Sequence, residues 1–161
     1  MTDANGGVPV PALTWGQPQG GLRLGLAADG AQITLALENI GKQPLEVLSH
    51  VEAGEIHLDW YTLHVASGTA PPRLIHLLDD RDESAIIRAT LAPQQRLQHT
   101  IDLQAWASRP ANGGAPFPPG DYQLNATYSV TPRGAVWAGR LEAGPVAWVV
   151  RGLNGSQCSG L

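Results

Sequence analysis

The chain holds a single cysteine, Cys158. That excludes an internal disulfide and a cysteine-based zinc site. Methionine and phenylalanine are equally scarce, one of each, so the apolar volume must come from Leu, Ile, Val and five Trp. Charge is sparse as well: 10 Lys and Arg against 14 Asp and Glu give a formal net charge of −4. Such a balance lacks the basic excess that neutralises phosphates, so nucleic acid is not an expected partner. No apolar run approaches the roughly 18 residues of a membrane span. Residues 1–11 lack both the positive start and the apolar stretch of a secretory leader. A cytoplasmic location is therefore expected, one that a removed leader would overturn.

Chemical signatures are missing too. No Gly-x-Ser-x-Gly elbow occurs, and no Gly-x-Gly-x-x-Gly links a strand to a helix. Asn125-Ala126-Thr127 and Asn154-Gly155-Ser156 match the glycosylation sequon, which carries no meaning without a secretory leader. The expectation is a protein that is not an enzyme and uses no cofactor.

What is abundant is Gly, 19 residues, and Pro, 13 residues. Both are poor in helix interiors and common in turns. Between the turns the apolar residues alternate. Leu22, Leu24 and Leu26 point one way, Asp29-Gly30 reads as a type I′ hairpin turn, and Ile33, Leu35 and Leu37 return. Ile56, Leu58 and Trp60 share one face of a strand over 55–65, with His57, Asp59 and Tyr61 on the other. Leu74 to Leu78 reads as a short strand buried on both faces, and Ile86 to Thr90 as a weak strand. Leu97, His99, Ile101 and Leu103 form another row, and Tyr122, Leu124, Ala126, Tyr128 and Val130 the clearest one. Arg133-Gly134 turns the chain toward Trp137 and Leu141, and an apolar run from Val146 to Val150 closes the domain. No 3.6-residue period persists. The pattern predicts an all-β fold, a two-sheet antiparallel immunoglobulin-like sandwich of seven to nine strands. It fills residues 15–151, between a flexible arm (1–14) and a flexible tail (152–161).

The segment from Pro119-Gly120-Asp121-Tyr122 to Tyr128 resembles the penultimate strand of immunoglobulin-like and fibronectin type III-like domains. The resemblance implies a corner hydrogen bond from Tyr122 or Tyr128 to the preceding loop, and a core role for Trp60. Asn39, Gly41 and Pro44, then Leu91 and Pro93, Trp106, and the Pro-Gly-x-Tyr step at Pro119 resemble the bacterial intracellular proteinase inhibitor family over about residues 30–130. That likeness implies a loop presented to a protease.

Two groups of residues are candidates for function. The irregular stretch 104–120 is expected to be an ordered loop, with Trp106 and Phe117 as aromatic anchors for a protein partner; the alternative is that they cap the end of the sandwich. His57 and Asp59, two apart on one strand, have the spacing of converging metal ligands and would need a third; the alternative is a polar outer face. The other histidines are His50, His64, His76 and His99, of which His99 sits in an otherwise apolar row and reads as a core or rim residue. The acidic run Asp79 to Glu83 offers oxygens but not the spacing of a calcium loop. The leading expectation is a non-enzymatic protein-binding or assembly module, with a proteinase inhibitor as one form. The second is a metal- or small-molecule-binding sandwich using His57 and Asp59.

Overall fold

The computed structural model describes residues 12–52, 56–68, 71–77, 85–132 and 134–151. The acidic run, Arg133, Cys158, the expected tail and most of the expected arm lie outside them. In chain order the strands are β1 (Thr14–Trp15), β2 (Leu22–Asp29), β3 (Gln32–Asn39), β4 (Leu45–Glu52), β5 (Ile56–Ala66), β6 (Arg73–Leu77), β7 (Ala85–Leu91), β8 (Arg96–Asp102), β9 (Gly120–Val130) and β10 (Gly139–Val150). A helix, α1 (Leu103–Ala107), and a 3-10 turn (Pro110–Asn112) lie between β8 and β9. One sheet has the order β1-β2-β3-β8; the other runs β10-β9-β5-β4-β7, with β6 also paired to β5. The chain is thus an all-β two-sheet sandwich. It has more strands than the pattern suggested: β1 and β4 add to the set, and the segments around Leu141 and Val146–Val150 join into one strand.

The β2–β3 hairpin carries the alternation that sequence shows. Leu22, Leu24, Leu26, Ile33, Leu35 and Leu37 are all fully buried, each contributing about 1.5–3 kcal/mol. Its turn differs from the expected type. Asp29 pairs with Gln32, which leaves Gly30 and Ala31 as the link. Gly30 has φ 62°, while Gln94 is the one non-glycine with positive φ among the described residues. Positive φ at the first linking position alone is the signature of type II′, not I′.

Strand β5 corrects the expected faces. Its pairing with β6 passes from Leu58↔Leu77 to Thr62↔His76, so the register slips between them. Leu58 is buried before the slip; Tyr61, Leu63 and Val65 are buried after it. Tyr61 therefore takes the core place expected for Trp60, which is only partly buried against the core. Strand β6 is not buried on both faces: Ile75 and Leu77 point inward while Leu74 is exposed. Strand β9 follows its alternation, with Leu124, Ala126, Tyr128 and Val130 buried. Tyr122 Oη donates to the carbonyl of Pro118 at 2.6 Å, the corner bond back to the preceding loop. Tyr128 Oη reaches across to Leu48 O at 2.7 Å instead.

Residues 103–120 are ordered by polar side chains. Asp102 caps α1 by accepting from Ala105 N at 3.1 Å. The Gln104 amide pairs both ways with Phe117, accepting from its N at 2.7 Å and donating to its O at 3.0 Å. Asn112 donates to Trp106 O at 3.0 Å and His76 O at 2.8 Å and accepts from His76 N at 2.9 Å, so its amide stands in for another strand along β6. Arg73 Nη2 lies 3.0, 2.7 and 2.8 Å from the carbonyls of Ala107, Asn112 and Ala115. Its guanidinium also covers the Phe117 ring at 4.4 Å.

Candidate functional site

Strand β8 is an edge of its sheet: its ladder runs to β3 alone. Its core-facing row, Leu97, His99 and Ile101, is consequently only half-covered. Beside this row lies a cleft of about 380 Å³, lined by Leu58, His99, Ile101, Asp102, Trp106 and Arg109 among others. Arg109 places its guanidinium 3.8 Å from the Trp106 ring centre, a cation–π contact. His57 meets Trp106 edge-on, at 5.8 Å between centroids.

Trp106 and Phe117, expected as exposed anchors, are interior residues, 6% and 5% exposed. Trp106 still borders the cleft, so it serves as part of its wall. Phe117 packs edge-on against Tyr122 and Trp148, at 5.4 Å from each, and closes one end of the core. His57 is 1% exposed, so it does not lie on a polar outer face as the alternative had it; Asp59 is half-buried. Among the described residues no three of His, Cys, Asp and Glu gather as a metal site would need.

The structure brings together a group that sequence reasoning missed. In β4 the register to β7 passes from Leu48↔Arg88 to His50↔Ile87, which makes Ser49 the extra residue of a β-bulge. A bulge re-aims a side chain, and here Ser49 turns inward. Its Oγ lies 2.8 Å from His50 Nδ1 and 3.3 Å from His99 Nε2. His50 Nε2 in turn lies 3.3 Å from Glu52 Oε2. One arrangement of protons that satisfies all three bonds is the following. His50 Nε2–H donates to Glu52, Ser49 Oγ–H donates to His50 Nδ1, and His99 Nε2–H donates to Ser49 Oγ. A hydrogen-bonded chain thus runs from exposed Glu52 to His99 at the cleft. Burial, and next the nearby His50, push the His99 pKa down to about 4, so its ring is neutral at physiological pH.

Acid, imidazole and hydroxyl are connected here, yet the hydroxyl is buried. Ser49 is 3% exposed and does not border the cleft. A nucleophile must meet its substrate, so this array positions His99 and does not itself attack. No protein-family model matches the chain, and no curated protein matches it. The site must therefore be read from its own geometry: a half-covered strand edge, an indole wall and a neutral imidazole. The missed signal was the run Leu-Ser-His-Val-Glu, hidden because the bulge spoils the alternation of β4.

Proposed function

We propose that the protein is a non-catalytic, immunoglobulin-like binding module that takes an extended segment of a partner protein along β8. The observation that carries this reading is the half-covered row of β8 beside the cleft. An added strand would take up backbone hydrogen bonds along that edge, and alternate apolar side chains would settle over Leu58 and Trp106. The corner bond of Tyr122 supports the immunoglobulin-like or fibronectin type III-like classification. Peptides selected against the immobilised protein from a random displayed library test the reading. Selected peptides should alternate apolar residues and shift the amide resonances of residues 96–102. Leu97→Lys should weaken them at least tenfold. Peptides that bind elsewhere, or that tolerate Leu97→Lys, would sink it.

One observation favours the proteinase inhibitor form. The loop is held from within by Arg73, Asn112 and Gln104, while residues 113–116 face solvent. A loop already fixed in its bound shape loses little entropy on docking. Inhibition of any member of a protease panel, abolished by substitutions at Ala115 and Pro116, would support this form; no inhibition across the panel removes it.

A further inference from the structure

A second concavity lies on the opposite side of the molecule, away from β8. Where the chain leaves β1 it runs against β10, and the seam between them opens into a groove of about 520 Å³. Its lining includes Gln17, Gln19, Asn125, Arg140 and Glu142, with Trp15 at the margin.

The groove is fixed by close backbone approach. A Cβ at Gly16 would lie 1.5 Å from the carbonyl oxygen of Glu142. One at Gly144, where φ is +115°, would lie 2.7 Å from both Leu124 O and Asn125 Oδ1. A side chain at Gly16 would push the chain leaving β1 away from β10, and one at Gly144 would push β10 away from β9. The register shift between Ala143 and Val146 bends β10 at the same point.

The chemistry of the lining selects its ligand. The groove carries one cation and one anion, and these already pair, with Arg140 Nε 3.2 Å from Glu142 Oε2. His64, opposite Asn125 on β5, has its pKa lowered by burial first and then by Arg140, against a smaller opposing effect of Glu142. The groove therefore presents no net charge. Its aromatic residue, half-buried Trp15, packs over Gly25 with Arg23 4.1 Å from its ring centre. Its three amides, from Gln17, Gln19 and Asn125, make no side-chain hydrogen bond to any described residue. Planar amides and a carboxylate–guanidinium pair supply adjacent donors and acceptors. Vicinal hydroxyls, each both donor and acceptor, match that arrangement.

We propose that this groove binds a neutral saccharide, held by hydrogen bonds to Gln17, Gln19 and Asn125 and by the Arg140–Glu142 pair. Binding is weak, in the millimolar range, because the contacts are exposed polar ones without ring stacking. It is independent of the β8 edge.

The test is titration of the labelled protein with maltose, cellobiose and N,N′-diacetylchitobiose, followed by amide and side-chain resonances. At least one sugar should produce saturable shifts at Gly16, Gln17, Asn125 and Gly144 while residues 96–102 stay still. Gln17→Ala and Asn125→Ala, with unchanged thermal unfolding, should each weaken binding about fivefold or more, roughly 1 kcal/mol. Absence of shifts at the groove for all three sugars to about 50 mM overturns the proposal, as that concentration lies well above a millimolar Kd. So do shifts insensitive to both substitutions, or tighter binding of inorganic phosphate at the same residues.

Discussion

Two buried tyrosines make opposite statements about their hydroxyls. Tyr128 donates to Leu48 O at 2.7 Å, whereas Tyr61 Oη is buried with no hydrogen-bond partner among the described residues. Tyr128→Phe should cost about 1–2 kcal/mol, since a buried carbonyl loses its donor, while Tyr61→Phe should be neutral or mildly stabilising. Urea unfolding of the two variants checks the difference. Burial raises both phenol pKa values well above the ordinary value. The unfolded chain ionises first as pH rises past about 10, so stability falls above that pH. His99 gives the acid counterpart. Its folded pKa of about 4 lies below the unfolded value near 6.5, so the unfolded state takes up the proton first. The His99 contribution is complete above about pH 6.5 and is lost progressively as pH falls toward 4. His99→Gln should flatten this part of the stability curve, measured by thermal unfolding between pH 7 and 4. An unchanged slope would count against the neutral, Ser49-bonded imidazole.

At the scale of elements, the stretch 103–120 shows how a Pro- and Gly-rich segment is held without a regular fold. Arg73 Nη2 has two protons and lies within bonding distance of three carbonyls, so one bond is shared. Arg73→Ala leaves those acceptors and the Phe117 ring uncovered. It should cost about 2–3 kcal/mol and raise hydrogen exchange in residues 104–117 well above that in β2 and β3. Equal exchange in both places would show that the loop holds itself. The bulged β4 behaves differently: its extra residue, Ser49, is buried and bonded to two imidazoles. The alternation in β2, β3 and β9 was legible because each of those strands keeps one face inward along its length. That of β4 and β5 was not: in β5 a register shift moves the buried set from Leu58 to Tyr61, Leu63 and Val65, and in β4 the bulge leaves Val47, Leu48 and Ser49 buried in succession. Trp60 and Tyr61 measure the shift in β5. Tyr61→Ala should cost about 3–5 kcal/mol and Trp60→Ala clearly less, by the usual penalty for emptying a buried aromatic site.

Over the whole molecule, the two sheets are locked by indole N–H groups that cross between them. Trp148 Nε1 donates to Gly30 O at 2.7 Å, and Trp137 Nε1 to Gln19 O at 3.0 Å. Both crossings fall on the β10 side, where β1 and β2 meet β10. The β8 side has no indole crossing among the described residues; there Ser49 Oγ meets His99 Nε2 at 3.3 Å across the sheets, and the row of Leu97, His99 and Ile101 remains half-covered. The asymmetry gives the molecule one closed seam, which holds the polar groove, and one open edge, which holds the cleft. Among the described residues no helix is long and apolar enough to cross a membrane.

Local alternation, turn residues, the abundance of Gly and Pro and the lack of a 3.6-residue period were enough to determine the two-sheet architecture. They also determined the inward faces of β2, β3 and β9, because a period of two depends only on near neighbours. The hydrogen bond of Tyr122 was implied only by a resemblance, which left Tyr128 open as well. Which strand would be left as an edge, which aromatic rings would be covered and which hydroxyl would meet two histidines depended on contacts between residues far apart in the chain. Ser49 and His99 are brought together across the two sheets, and Gln17 and Asn125 across the seam. Only the packing of one sheet on the other sets such distances, since nothing in the spacing of residues along a strand records what lies above it.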